Sequence, residues 1–449
     1  MLEVQIAQDS IFSEQFDLVI SATGGTVSPV SPEWATRLRA FRNGGVLPME
    51  PSDLPMIASG VVRFAAQEEA ARSQIEASML SYLSSKGAMA IMPTEKCNFR
   101  CRYCYETFAK GRMPESVFLA TMNFLDEEVP RFSSYDLSWF GGEPLLQLDL
   151  VERGSLHFQH LLKKYERSGS VSITTNGSRL SIDAVRRLHK AGMNQYQITL
   201  DGPQELHDQQ RPRQDGSSTY SDVLTAIKNV INESDASVTI RFNYKPTRPQ
   251  VVAEIKEWLR SDLGDLLGRD DGRVSVHGVP IWDATTTGVS GICLTEPAMI
   301  DQVMAMSHAV SEAQSLDYAA QTAKTFSQVG SLACYAGKPG HYVIGSDGTI
   351  YKCTVAFDLP ENHIGSVLHG RTARVDKNRE DVWTADNAIS DSGCGKCSIS
   401  RACLGIHCPL TRMQERRRPC PTAKLGIGRS SFWGTRFDGE GMRDELAMS

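Results

Sequence analysis

The sequence predicts an α/β protein: a partial (βα)6 barrel, preceded by a small α+β domain and followed by a cysteine-rich region. Three observations predict it. Between about residues 87 and 318, short apolar runs alternate with stretches of helical periodicity, the pattern of a parallel sheet joined by crossover helices. Residues 1–86 lack that rhythm and contain no cysteine. Ten of the 11 cysteines fall into two groups, one just after the first apolar run and one beyond residue 320, where the periodicity fades.

In chain order, Phe16–Ile20 and Thr26-Val27 flank Gly24-Gly25 and read as a β-hairpin. Ser31 is placed to cap, and Pro32 to open, a helix through Trp34, Leu38 and Phe41. Six strand–helix units follow. Ala88–Met92 precedes a helix after Pro114, Leu137–Phe140 one near 149–165, and Val171–Thr175 one running from Ser181 to Gly192. Tyr196–Leu200 precedes a helix near 219–231, Val238–Asn243 one near 250–261, and Val274–Ile281 one near 296–313. Active residues of such barrels gather at the carboxyl ends of the strands, and the first cysteine group sits just after the first strand. Residues 319–425 carry short strands, turns and cysteines, as in a region held by metal rather than by a large apolar core. Residues 426–449 read as a tail.

A chain of 449 residues accommodates two or three domains. A net charge of −6 gives no sign of a nucleic-acid partner. No apolar run approaches the ~18 residues of a membrane span, and the start, Met1-Leu2-Glu3-Val4-Gln5, lacks the basic and apolar regions of a signal peptide. The expectation is a cytoplasmic protein. In a reducing compartment, cysteines at short spacings are metal ligands before they are disulfides.

The first group, Cys97-x3-Cys101-x2-Cys104, provides three thiolates and no fourth before Cys293. Three thiolates hold three irons of a cubane [4Fe–4S] cluster and leave the fourth open; a structural zinc site wants four ligands close together. Gly141-Gly142-Glu143-Pro144 follows the second strand, with glycines that allow close backbone approach and a carboxylate able to accept from an ammonium group. Asn176 ends the third strand and Thr199 the fourth, putting polar groups at the barrel mouth, with Arg211 a little beyond. Turn capping is the alternative role for Asn176 and Asp201, and Asn243 on the fifth strand is a further candidate.

The spacing and the GGEP string resemble the radical S-adenosylmethionine (SAM) superfamily. The resemblance implies that SAM chelates the open iron and is held by Gly141, Gly142, Glu143, Asn176, Thr199 and Arg211. It also implies an enzyme that reductively cleaves SAM to a 5′-deoxyadenosyl radical, which abstracts hydrogen from an unactivated carbon.

The second group runs C-x13-G-x4-C from Cys334 through Gly348 to Cys353, then C-x2-C-x5-C-x4-C from Cys394 through Cys397 and Cys403 to Cys408, and closes at Cys420. It resembles the SPASM domain of peptide- and protein-maturing radical SAM enzymes, which binds two auxiliary [4Fe–4S] clusters and usually has three residues where this chain has four, Leu404–His407. By that resemblance Cys334, Cys353 and Cys408 serve the nearer cluster, and Cys394, Cys397, Cys403 and Cys420 the farther one, making three clusters in all. Cys293 either completes the nearer cluster or is a buried thiol. A pair of zinc sites is the alternative for the region, because C-x2-C also occurs in zinc ribbons.

The resemblance implies maturation of a ribosomally made precursor peptide by cross-linking or another oxidation. The N-terminal domain either docks a leader peptide by β-augmentation or simply packs on the barrel. Sulfatase-type maturation is an alternative, but those enzymes typically place an aspartate after the second SPASM cysteine, and here Cys353 is followed by Thr354. A non-catalytic iron–sulfur or zinc scaffold is the alternative of another class. Arg412, Arg416, Arg417 and Arg418 crowd the loop before Cys420, either as a solvated basic loop or as a docking patch for an acidic flavodoxin- or ferredoxin-type electron donor.

Overall fold

The computed structural model describes all residues except 1–2, 13–17, 22–25, 42–45, 51–52, 249, 282–296, 369–372, 386, 388, 417 and 427–449. The turn predicted at Gly24-Gly25, Cys293, Arg417 and nearly all of the tail lie outside the described residues. The chain divides into two compact units, one of residues 1–82, 288–334 and 386–449, the other of residues 83–287 and 335–385.

The first unit holds β1 (Glu3–Ile6), β2 (Ser10–Phe12), β3 (Leu18–Ser21), β4 (Thr26–Pro29), β5 (Leu47–Pro48) and β6 (Val62–Phe64). They form two antiparallel sheets, β5-β1-β6 and β2-β3-β4. The expected hairpin is β3–β4, and the Ser31 hydroxyl accepts from Trp34 N at 3.2 Å where the helix Pro32–Phe41 begins. Because side chains alternate across a strand, Val19 packs with Val4, Leu38 and Val62, whereas Ile20 packs with Ile11, Ile300, Met304, Phe326 and Ile399. The helix Pro297–Ala313 therefore forms where the last barrel helix was predicted, but its buried Ile300 and Met304 serve this unit's core. Periodicity fixed the helix; only the apolar face of β3 decided what its stripe packs against.

The second unit contains β7 (Lys86–Ile91), β8 (Ser134–Trp139), β9 (Val171–Thr175), β10 (Gln195–Thr199), β11 (Ser237–Tyr244) and β12 (Val274–Pro280), all parallel and within a few residues of the predicted runs. The sheet continues beyond β7. β13 (His341–Ile344) pairs parallel to β7, and β14 (Thr349–Tyr351), β15 (His363–Ser366) and β16 (Arg374–Val375) add antiparallel, giving ten strands in the order β12-β11-β10-β9-β8-β7-β13-β14-β15-β16.

One face of the six parallel strands is apolar and covered by helices. Leu137, Ile173, Ile198 and Ile240 are all buried there, each contributing roughly 1.5–3 kcal/mol. Trp139 shows the fit: its Nε1 donates to Ser155 Oγ at 2.9 Å on the helix Leu148–Tyr165, and a Cβ on Gly154 would lie 2.6 Å from its ring. The opposite face is polar. It carries Thr174, Gln197, Thr239 and Ser275, with Gln197 donating to Thr174 at 3.3 Å and Thr239 and Ser275 3.2 Å apart. A closed barrel fills that face with bulky apolar side chains, whereas here it carries polar ones. Among the described residues no helix is long and apolar enough to cross a membrane.

Candidate cluster and cofactor sites

The loop after β7 is shaped by backbone contacts that gather the first cysteine group. Thr94 bridges Arg112, Phe99 bridges Arg213, and Arg100 N and Arg102 N donate to Pro212 O and Gln210 O at 2.9 Å each. Cys104 N closes a tight turn on Cys101 O at 3.1 Å. Burial pushes the Cys97 and Cys104 thiols up to about 11, and Cys101 is raised for the same reason. Binding iron there must therefore release protons. The buried guanidinium of Arg211 opposes the shift at all three, which makes it a ready partner for thiolate charge.

The two glycines after β8 answer to the cysteine loop. A Cβ on Gly141 (φ +117°) would lie 2.5 Å from Thr94 O, and one on Gly142 would lie 2.3 Å from Glu95 O. Only glycine lets the turn donate from Gly142 N to Thr94 O and from Glu143 N to Lys96 O. Glu143 is fully buried. Its Oε1 accepts from Leu145 N at 2.9 Å and Thr175 Oγ1 at 2.8 Å, and its Oε2 accepts from Asn176 N at 2.8 Å. Burial raises its pKa against those three donors. The carboxylate thus ties the end of β8 to the end of β9, with one lone-pair site of Oε2 left over.

Asn176 donates through Nδ2 to Asn98 Oδ1 at 2.9 Å and lies 3.7 Å from Cys97 Sγ, while its Oδ1 accepts from Ser178. This is both a turn cap and a contact with the cysteine loop. Thr199 is buried as the last residue of β10.

A network that sequence reading missed joins the remaining candidates. The Tyr103 hydroxyl, between Cys101 and Cys104, donates to Asp201 Oδ2 at 2.5 Å and accepts from Arg211 Nη1 at 2.6 Å and Asn243 Nδ2 at 2.9 Å. Asp201 Oδ1 accepts from Asn243 N and Nδ2 at 2.7 and 3.0 Å. His207 Nδ1 accepts from Asp201 N at 3.0 Å, so its Nε2–H faces Thr219 Oγ1 at 3.0 Å, and that hydroxyl donates to Arg211 O at 2.8 Å. Burial, helped by the Arg211 charge, holds His207 down to about 3, so the ring is neutral. Arg211 Nε is buried with no hydrogen-bond partner, Asp201 Oδ2 being 4.0 Å away. An orphaned guanidinium N–H whose charge acts on the Cys97, Cys101 and Cys104 thiols suits an anionic ligand. No sequence signal marked Tyr103 or His207; the buried polar C-x-Y-C position could have been flagged only by its unusual company.

In the second unit, Cys353 is held by a fully buried amide. Asn362 Oδ1 accepts from Lys352 N at 3.0 Å and Cys353 N at 2.8 Å, and its Nδ2 donates to Cys353 O at 2.8 Å and Ala356 O at 3.0 Å. Thr354 is 2.9 Å from the Tyr335 hydroxyl.

The first unit holds the other six cysteines of the second group. Cys334 N donates to Ile406 O at 3.0 Å, and Thr411 Oγ1 donates to Cys408 Sγ at 3.3 Å. Leu404 (φ 55°) and Gly405 (φ 69°) turn the chain sharply within the four residues that separate Cys403 from Cys408. Asp391 Oδ1 accepts from Cys394 N at 2.7 Å, and Cys397 N closes on Cys394 O at 3.1 Å, the same turn as at Cys101-x2-Cys104. Cys403 is pushed up to about 11 by burial and then by the charges of Cys397, Cys420 and Cys394, so these four thiols are electrostatic neighbours. In the basic loop, Arg418 is spent on Asp391 Oδ2 at 3.1 Å and Gly405 O at 3.2 Å, and Arg416 is exposed.

Among the described residues no three His, Cys, Asp or Glu side chains converge as ligands of a single ion. A cubane spreads its thiolates, because each binds a different iron. The described cysteines form no disulfide.

Residues 91–246 match the model of the Radical SAM superfamily. The chain carries a radical SAM domain. Among curated proteins it is similar to GTP 3′,8-cyclase of Campylobacter curvus, 30% identical over 162 residues, which is 34% of this chain and 45% of that protein. It is also similar to the probable GTP 3′,8-cyclase of Methanocaldococcus jannaschii, 25% identical over 180 residues, 40% of this chain and 57% of that one. The match thus spans about half the length of these relatives. Among solved structures, native anSMEcpe with bound AdoMet shares the fold at a TM-score of 0.54 and 16% identity, covering 74% of this chain and 92% of that one. The same protein with bound AdoMet and Cp18Cys peptide gives a TM-score of 0.53 at 16% identity and the same coverage.

Proposed function

We propose that this radical SAM protein is a SPASM-type maturase that acts on a ribosomally made precursor peptide. The observation that carries the radical SAM part is the three-thiol loop at the carboxyl end of β7, packed on the Gly141-Gly142-Glu143 turn, with a buried Arg211 N–H lacking an acceptor beside it. Cys97, Cys101 and Cys104 would hold one [4Fe–4S] cluster; Cys394, Cys397, Cys403 and Cys420 a second; and Cys334, Cys353 and Cys408 a third. When bound, the first cluster and SAM supply a carbon-centred radical able to take hydrogen from an unactivated carbon. The chain's own residues set the stage. Glu143 locks the turn to β9, Arg211 balances negative charge, and the polar inner face of β9–β12 offers hydrogen bonds to a substrate's polar groups.

Two features support a peptide substrate over the other readings. The second cysteine group resembles the SPASM spacing apart from one extra residue before Cys408, and Thr354, bonded to Tyr335, stands where sulfatase maturases place an aspartate. The curated relatives favour a second reading, a nucleotide substrate, although their match reaches only about a third of this chain. The N-terminal domain of residues 1–86 as leader-binding module, the division at residues 86, 318 and 425, a flavodoxin- or ferredoxin-type donor and a cytoplasmic setting belong to the same proposal.

The test is anaerobic reconstitution followed by reduction. The protein is expected to bind ~12 irons and to convert SAM to methionine and 5′-deoxyadenosine. Alanine at Cys97, Cys101 and Cys104 together should abolish cleavage and lower iron to about eight. Zinc at two per chain with little iron would overturn the SPASM reading. Incubation with GTP, and with short precursor peptides encoded beside the gene, separates the two substrate readings by which one loses hydrogen.

A further inference from the structure

We propose that Lys424 tunes the reduction potential of the cluster assigned to Cys394, Cys397, Cys403 and Cys420, by donating a hydrogen bond to the Cys397 sulfur and placing a positive charge beside Cys397, Cys420 and Cys394. This rests on the reading of those four cysteines as an iron–sulfur site.

Lys424 Nζ lies 2.8 Å from Cys397 Sγ, and Cys397, Cys420 and Cys394 are its electrostatic partners. It is not a solvated lysine that happens to pass by. The short helix Thr422–Gly426 starts with Lys424 N donating to Pro421 O at 2.9 Å, and the neighbouring Ala423 packs on the apolar cluster of Ile20, Phe326 and Ile399. Cys397 and Cys403 pack on that same cluster, so the segment carrying the ammonium and two of the cysteines share one apolar floor.

Among the described residues no carboxylate lies within ion-pair distance of Lys424. Asp391, the acid beside Cys394, is occupied by Arg418 and by Cys394 N. A half-buried ammonium without a counter-ion is unfavourable, and four neutral thiols offer it little. Four thiolates around iron supply the missing negative charge. Reduction adds a further electron to that site, and a cation fixed beside it stabilises the reduced form, because net charge and hydrogen bonds to sulfur set cluster potentials.

The experiment uses the full chain with Cys97, Cys101 and Cys104 replaced by alanine, so that only auxiliary clusters give a signal. Lys424→Gln and Lys424→Arg are reconstituted in that background, their iron is counted, and their midpoints are read by potentiometric titration with electron paramagnetic resonance. Lys424→Gln should keep its iron and shift the reduction equilibrium roughly tenfold toward the oxidised form, ~59 mV lower for one electron. Lys424→Arg should stay near the parent. An unchanged midpoint in Lys424→Gln with full iron overturns the proposal. If Lys424→Gln loses iron, Lys424→Arg decides: retained iron and midpoint support the charge, and loss in both variants overturns it. Replacement of Cys394, Cys397, Cys403 and Cys420 by serine tests the underlying reading separately, since unchanged iron there refutes the cluster assignment whatever Lys424 does.

Discussion

Tyr103→Phe removes one oxygen from the centre of the barrel mouth. That oxygen serves three partners, the carboxylate of Asp201, the guanidinium of Arg211 and the amide of Asn243. Two of the three are charged and each contributes about 1.5–3 kcal/mol; the neutral one contributes about 0.5–1.5 kcal/mol. The loss is less than the sum, because Asp201 keeps two donors on Oδ1 and its Oδ2 stands 4.0 Å from Arg211 Nε, near enough to close part of the gap. Against that, Arg211 would be left with two buried N–H groups lacking acceptors instead of one. The expected cost is about 3 kcal/mol. For a unit of this size that lowers the thermal midpoint by roughly 6 °C, measured at one scan rate on the anaerobic protein. A double-mutant cycle with Asp201→Asn should show a double variant that loses less than the sum of the singles. A midpoint within about a degree of the parent, or strict additivity, would refute the network as an energetic unit.

Two further outcomes follow from buried polar groups. His207 is held well below its ordinary value, so the stability it supports is full above pH 6.5 and is lost as pH falls toward about 3. His207→Gln should flatten the stability curve between pH 5.5 and 4.5 by nearly one proton, about 1.3 kcal/mol per pH unit in urea titrations; parallel curves would show that His207 is not the titrating group. Asn362→Ala should strip four backbone partners from the Cys353 loop and cost about four irons per reconstituted chain. Cleavage of SAM at the first site should survive, and full iron in the variant would mean that Cys353 ligates nothing or needs no clamp.

How far the sequence speaks depends on the range of the interaction. The six parallel strands were legible because each buries an apolar face whose run is local, and the start at Ser181 because its hydroxyl caps Ala184 N within one turn. The cysteine triad was legible because a cluster loop is compact in sequence. By contrast, Glu143 reads as a ligand for an ammonium group, and only the fold shows that its carboxylate also accepts from Leu145, Thr175 and Asn176. A carboxylate's partners come from neighbouring strand ends, which periodicity does not order.

The amino-acid sequence by itself determined the α/β class, the strand positions and the two groups of thiols, since local patterns of burial and short spacing specify all three. Tertiary structure alone decided that β13–β16 extend the barrel sheet, that Ile300 and Met304 pack on Ile20, that Tyr103 meets Asp201, Arg211 and Asn243, and that Lys424 faces Cys397. Each of these last contacts joins residues distant in the chain. Such a pair is selected by shape and charge when the elements close on one another, and no local pattern records it.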